Sequence, residues 1–340
     1  MSAHYTEQQL SFCTSLPKVE LHAHLNGSLR DSTIRELALQ KNLDPSLTKV
    51  LEKGDRTLSE VFQVFGVIHQ VTTDHATLTR ITQEVIEDFA ADNVQYLELR
   101  TTPKDRPEHG MTKRSYTEAV IRGLRLAEQG CTTVVRLLLS IDRREDAAAA
   151  MATVQLAAEL SPCVVGIDLS GNPTVGTWET WEPALQHARK LGLRLTIHAA
   201  EVYNPSETKQ ILEFRPDRLG HMCCLDDNLE KQFYDSLIPV ELCLSSNIIT
   251  ESVGSFPDHH FLPFFQAGHP VVLCTDDSGV FETSLSKEYA IAAQAFGLSQ
   301  KDLWQLSYQA IQHTFLSRED QQKLRESWNE HYATHSHTWN

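Results

Sequence analysis

Val19-Glu20-Leu21-His22-Ala23-His24-Leu25-Asn26-Gly27 alternates apolar and polar side chains. A period of two puts Val19, Leu21, Ala23 and Leu25 on one face of a β-strand and Glu20, His22 and His24 on the other. Gly27 ends the strand, so both histidines stand at its C-terminal end, roughly 6–7 Å apart along it. Two imidazoles so spaced can converge on one small cation.

Other apolar runs end in the same way. Thr196-Ile197-His198-Ala199-Ala200-Glu201 brings a histidine and a carboxylate to the end of a second strand, Leu219-Gly220-His221 a histidine to a third, and Val271 to Asp277 two adjacent carboxylates to another. Taken singly, Asp276-Asp277 reads equally well as a helix cap, Glu201 as a surface carboxylate and His221 as a core histidine. Taken together they suggest a three-histidine, one-aspartate metal site with a glutamate to spare.

Working outward, a short helix leads to Leu16-Pro17, and after the first strand three helical stretches are expected, Ser32 to Gln40, Leu58 to Gln70 and Leu78 to Ala91, with Asp31 or Ser32 capping the first and Asp74 beginning the third. Strands are then expected at Val94–Arg100, Thr133–Ile141, Val164–Leu169, Arg194–His198, Arg218–His221, Val240–Leu244 and Val271–Thr275. The helices between them fall at Tyr116–Gln129, Arg144–Glu159, Trp181–Leu191, Thr208–Glu213, Leu225–Ser236 and His260–Ala267, and the chain is helical from Ser286 to about Glu330. Strands that alternate with helices pair in parallel. Eight such units predict a single (β/α)8 TIM-type barrel over residues 1–340, with extra helices after strand one and at the C-terminus. Its functional groups lie at strand C-terminal ends, where such barrels build their sites. The rival, a doubly wound open sheet, lacks a glycine-rich dinucleotide fingerprint.

The formal net charge of −15 disfavours nucleic acid and anionic membrane surfaces as partners. Seven scattered cysteines without zinc-knuckle spacing suggest a reducing compartment. With no basic stretch leading into an apolar core near Met1, and no long apolar run, the expected location is the cytoplasm. His331, His335 and His337 read as a solvated tail, Trp178 and Trp181 as packing, and Asp226-Asp227 as a cap.

The motifs His22-Ala-His-Leu-Asn-Gly27, Ser170-Gly-Asn-Pro173, His198-Ala-Ala-Glu201, Leu219-Gly-His221, Ser245-Ser-Asn247 and Thr275-Asp-Asp277 resemble, in this order, those of the adenosine and AMP deaminase family. Within it the chain is most similar to the adenosine deaminase-like branch, which acts on N6-methyl-AMP and carries Asn after His-x-His-Leu, as Asn26 does here. One departure is Ala200, where many members have glycine.

The resemblance implies one zinc ion held by His22, His24, His198 and Asp276, with His24 also touching substrate. It implies Glu201 as the group that transfers a proton, His221 as the partner of the attacking water, Asp277 as a partner of purine N7 and Gly171 as an N–H donor to purine N3. The implied reaction is hydrolytic removal of the N6 amine from a purine nucleoside monophosphate, N6-methyl-AMP giving IMP and methylamine. Adenosine deamination and a silent nucleotide-binding barrel are the alternatives. Asn26 in place of a carboxylate favours a phosphate nearby, since two anions at close range repel. Thr101-Thr102-Pro103-Lys104, after strand two, offers hydroxyls and an ammonium for it. His69 resembles a residue reaching over the substrate, and Asp142 a ribose or substrate contact.

Overall fold

The structure, a computed structural model, describes residues 5–52 and 56–336. Helix α1 (Glu7–Ser15) leads into β1 (Lys18–His24). Helices α2 (Asp31–Gln40), α3 (Pro45–Thr48), α4 (Leu58–Val71) and α5 (His75–Ala91) separate it from β2 (Val94–Thr101). There follow in alternation α6 (Lys113–Ala127), β3 (Val134–Asp142), α7 (Ala147–Glu159), β4 (Val164–Ser170), α8 (Trp178–Lys190), β5 (Arg194–Ala199), α9 (Pro205–Phe214), β6 (Arg218–His221), α10 (Asp227–Ser236) and β7 (Val240–Leu242). Helices α11 (Leu244–Ile249) and α12 (Phe261–Gln266) precede β8 (Val271–Leu273), and α13 (Leu285–Phe296), α14 (Gln300–Ala310) and α15 (Arg318–His335) complete the described chain.

The strands form one parallel sheet in the order β1 to β8. A bridge between Ala23 and Asp276 brings its two edges together. There the His24 N–H donates to the Asp276 carbonyl at 2.9 Å and the Asp276 N–H to the His22 carbonyl at 2.8 Å. The expected (β/α)8 barrel is therefore present, joined at its seam by the backbone of three residues expected to hold metal.

Period two divides each strand between two environments. Leu97 and Leu99, Leu137, Leu139 and Ile141, Ile167 and Leu169, and Leu195 and Ile197 all join one apolar core. The intervening side chains, Glu98, Arg100, Ser140, Asp168, Thr196 and His198, are buried on the opposite face. Barrel interiors are usually filled by branched apolar side chains; this one holds a chain of ion pairs. Arg218 pairs with Glu98 and Glu241, and Arg100 pairs with Glu241 at 2.8 Å and Asp168 at 3.0 Å. The C-terminal segments close the floor beneath it. Glu98 accepts from the Phe315 N–H at 2.6 Å, and Arg218 donates to the His313 carbonyl at 2.7 Å.

Several boundaries differ from the sequence reading. Asp31 and Ser32 do not cap α2; Arg30 holds the N-cap position and gives no side-chain bond, whereas Asp74 does cap α5. Helix α7 begins at Ala147 because Asp146 accepts from the Ala149 N–H. Strands β7 and β8 stop two residues early; after β7 the chain turns at Cys243 into α11, a helix hidden in Ser245-Ser246-Asn247. His331 and His335 are the last turns of α15, their rings 4.2 Å apart, and not a tail; His337 lies outside the described residues. Trp178 and Trp181 are packed in the core, and Asp226 caps α10. No helix among the described residues is long and apolar enough to cross a membrane, and the seven cysteines are free thiols.

Candidate active site and metal centre

Strands β1 and β5 and the turn after β8 bring His22, His24, His198 and Asp276 together, with one ligand atom from each inside a 4.8 Å cluster. His24 Nε2 is 3.2 Å from His198 Nε2 and 3.3 Å from Asp276 Oδ1; His22 Nε2 is 3.4 Å from the same oxygen. Two of these rings are held from behind by buried carboxylates: His22 Nδ1 by Glu241 Oε2 at 2.6 Å, and His198 Nδ1 by Asp168 Oδ1 at 3.0 Å. A carboxylate on Nδ1 keeps the proton there and leaves Nε2 as a lone pair. His22 Nε2 is buried with no hydrogen-bond partner, and burial brings His198 down to about 4, so its ring is neutral. Imidazoles converging with a carboxylate are what a divalent cation requires once it displaces any ring proton from the facing nitrogens, so the donor set fits a metal. Burial opposes ionisation of Asp276, but the adjacent His22 and His24 rings outweigh it and hold its carboxyl well below the usual range. His221, Cys243 and Asp276 form an overlapping trio. Burial pushes the Cys243 thiol well up, which leaves it a packing group rather than a thiolate.

Glu201 and His221 border this cluster. His221 Nε2 lies 3.9 Å from Glu201 Oε2 and 4.0 Å from Asp276 Oδ2, and is buried without a hydrogen-bond partner. The Glu201 side chain is 25% exposed, with Oε1 unpartnered. Desolvation, reinforced by the Asp276 charge, raises its carboxyl to about 7. Asp277 is raised to about 7 for the same two reasons. Ala200, His221 and Asp276 all have positive φ, at 53°, 66° and 64°. Non-glycine residues held there store strain, which collects at functional sites. At Ala200 this is a left-handed backbone position of the kind that glycine adopts without strain.

The remaining expected residues lie at the same strand ends. Thr101 Oγ1 is 2.7 Å from the Tyr116 hydroxyl, which Asn26 also meets; Asn26 Oδ1 itself is unpartnered. Thr102 is half-buried and Pro103 buried in the turn after β2. Lys104 Nζ is 3.0 Å from His69 Nδ1 on α4, and Arg106 donates to the His69 carbonyl at 3.1 Å. Asp142 pairs with Arg144. Gly171, at φ 102°, stands against it so closely that a Cβ would meet Asp142 Oδ1 at 2.8 Å. Burial, Lys104, Arg106 and Arg144 together lower His69 to about 4. Burial and the two arginines lower Lys104 to about 8. Three cations, Lys104, Arg106 and Arg144, around the uncharged His69 ring and one carboxylate make a positive pocket in an acidic protein.

Sequence reasoning missed the carboxylates behind the rings, Asp168 and Glu241, although a charge inside an apolar strand was a visible signal. It missed Arg106 and Arg144, loop residues with no periodicity to mark them. Ser245-Ser246-Asn247 carried a resemblance but no role; Ser246 Oγ donates to Asp276 Oδ2 at 2.7 Å, and Asn247 Nδ2 stands 3.1 Å from His221 Nδ1.

The adenosine deaminase family model matches residues 17–331. The chain is 50% identical to the N6-mAMP deaminase of Arabidopsis thaliana, over 93% of this chain and 97% of that one. It superposes on the apo structure of the N6-methyl-AMP deaminase from Arabidopsis thaliana with a TM-score of 0.93 at 50% identity, covering 96% of this chain and 100% of the other. It is equally similar to a crystal structure of Arabidopsis ADAL complexed with IMP, with a TM-score of 0.92 and 50% identity over 96% and 99% of the two chains. The chain belongs to the adenosine deaminase family.

Proposed function

We propose that this chain is a zinc-dependent hydrolytic deaminase of purine nucleoside monophosphates that converts N6-methyl-AMP to IMP and methylamine. The observation that carries the reading is one barrel mouth shared by the His22, His24, His198 and Asp276 donor set, with Glu201 beside it, and the basic cluster of Lys104, His69, Arg106 and Arg144. The first suits hydrolysis at a purine ring and the second suits a phosphate. The name of the Arabidopsis relative and the IMP complex support the same substrate class.

His22, His24, His198 and Asp276 hold the metal. Imidazole and carboxylate donors suit zinc, which when bound supplies a Lewis acid able to bring the pKa of a water to about 7. In the reaction the water oxygen bonds to purine C6, one of its protons reaches N1 and the other the amine nitrogen, and the C6–N6 bond breaks to leave the C6 carbonyl and free methylamine. Glu201, raised to about 7, can carry that proton to N1 at neutral pH. His221 contacts the attacking oxygen. Asp277, also raised, presents a proton to N7. Gly171 offers its N–H to N3. Asn26, Thr101, Thr102, Pro103, Lys104, His69 and Asp142 line the ribose and phosphate end. Seven free thiols support a reducing, cytoplasmic setting.

The test is a substrate panel of adenosine, AMP and N6-methyl-AMP, run with metal analysis. One zinc per chain and a preference for N6-methyl-AMP are expected. A preference for adenosine removes the phosphate assignment, and zinc-loaded protein inert on all three removes the enzyme.

A further inference from the structure

A chain of hydrogen bonds behind His221 starts at a group whose direction is beyond choice. The backbone N–H of Phe261 donates to His259 Nδ1 at 3.0 Å. A backbone N–H can only donate, so His259 Nδ1 accepts and its proton sits on Nε2. That Nε2 lies 3.2 Å from Asn247 Oδ1. Asn247 Nδ2, an amide nitrogen that can only donate, then faces His221 Nδ1 at 3.1 Å. A flipped Asn247 amide would set its NH2 against the His259 N–H, donor against donor. The ring proton of neutral His221 is thereby left on Nε2, the unpartnered atom 3.9 Å from Glu201 Oε2.

From this geometry we infer that Asn247 and His259 are positioning residues that hold His221 as its Nε2–H tautomer, so that His221 donates a hydrogen bond to the oxygen attacking the purine and does not take its proton. Glu201 is then the group that receives that proton. The surroundings keep the chain of bonds in place. All three side chains of the chain, His221, Asn247 and His259, are buried. Burial, with His260 adjacent, lowers His259 to about 2, so its ring is neutral. The His260 ring stacks on His259 with centroids 4.3 Å apart, and its Nε2 lies 2.7 Å from the carbonyl of His221, whose backbone is at φ 66°. Which nitrogen carries the proton decides whether a histidine is donor or base, and that is set by the partner of its other nitrogen.

The inference rests on the deaminase reading, but its first measurement does not need turnover. Histidine labelled with the heavy nitrogen isotope reports both ring nitrogens in the metal-loaded enzyme, with His221 assigned by its loss in His221→Gln. The expected wild-type state is His221 protonated at Nε2 and bare at Nδ1. Asn247→Asp can only accept from both neighbours, so it should move the His221 proton to Nδ1. With metal content unchanged, kcat should fall roughly 10²-fold while KM moves less than about twofold. His259→Gln, whose amide can still donate to Asn247, should recover activity that His259→Leu loses. Wild-type His221 protonated at Nδ1 overturns the inference, as does a tautomer shift in Asn247→Asp with kcat unchanged. If Asn247→Asp fails to fold, the wild-type spectrum decides. A wild-type enzyme with the expected tautomer but no deaminase turnover overturns the proposed reaction alone.

Discussion

His22 Nδ1 lies 2.6 Å from Glu241 Oε2, and both side chains are fully buried. The same carboxylate accepts from Arg100, Arg218 and Thr196. Burial works against its ionisation, but the two guanidiniums outweigh this and hold it well below the usual carboxylate range. The metal centre is therefore mounted on the ion pairs of the barrel interior. One glutamate both turns a metal-facing ring and neutralises two buried arginines.

Glu241→Gln should weaken both functions. Loss of a carboxylate behind a ligating histidine costs roughly 10- to 100-fold in metal affinity. Breaking a buried ion pair by removing one partner costs about 3–5 kcal/mol. Chelator competition and denaturant unfolding of the metal-free chain measure the two effects separately. Unchanged zinc affinity would show that the His22 ring is oriented by packing alone.

Glu201→Gln separates chemistry from binding. The amide keeps the shape but cannot transfer a proton, so turnover should fall by roughly 10²-fold or more, with zinc content and substrate KM nearly unchanged. A wild-type rate in the variant would place the proton transfer elsewhere, His221 being the nearest candidate at 3.9 Å.

The seam of the barrel shows why the metal site was legible. His22 and His24 share one strand face, and His198, His221 and Asp276 each follow an apolar run, so local periodicity brought all five to strand ends, and the family resemblance chose His22, His24, His198 and Asp276 among them as ligands. The interior network was not legible in the same way. Glu98 and Arg100 alternate with Leu97 and Leu99, so the charges were visible on the expected face. Their partners Arg218, Glu241 and Asp168 lie on other strands, and which charge meets which depends on barrel register. Likewise α11 spans only Leu244–Ile249, too short for a helical period to show. Ala200 stands out in the sequence only as a departure from the family glycine; its backbone at φ 53° is the consequence that needs the structure.

Gly27 controls Asp277. A Cβ on Gly27 would stand 1.6 Å from Asp277 Oδ1 and 2.5 Å from its Cβ, so no rotation of the carboxylate makes room. Gly27→Ala should displace Asp277 and raise KM roughly tenfold or more, the order of one lost hydrogen bond to substrate, while zinc is retained. Asp277→Asn, which keeps a donor for purine N7 without moving the backbone, should retain more substrate affinity than Asp277→Ala. Equal loss of zinc and substrate in Asp277→Asn would instead make Asp277 a metal or structural group.

Lys104 tests the phosphate end by mutation and by pH. A charge-assisted hydrogen bond is worth about 1.5–3 kcal/mol. Lys104→Ala should therefore lower kcat/KM for the monophosphate by roughly tenfold to a hundredfold and leave the nucleoside almost unaffected. The pH dependence follows from the crowding of the pocket. Burial, with Arg106 and Arg144 adding to it, brings the Lys104 ammonium down to about 8. Only the protonated form attracts a phosphate, and it is lost as pH rises. Loss of the Glu201 and Asp277 protons near pH 7 lowers kcat/KM for monophosphate and nucleoside alike; in wild type the monophosphate should show a further fall as pH passes about 8. That further fall should be absent with the nucleoside and absent in Lys104→Ala. A bound dianion favours the ammonium, so kcat at saturating monophosphate should show the further fall at a higher pH than kcat/KM. An alkaline fall of equal size with both substrates would assign it to the reaction centre, and Lys104 would lose its place at the phosphate.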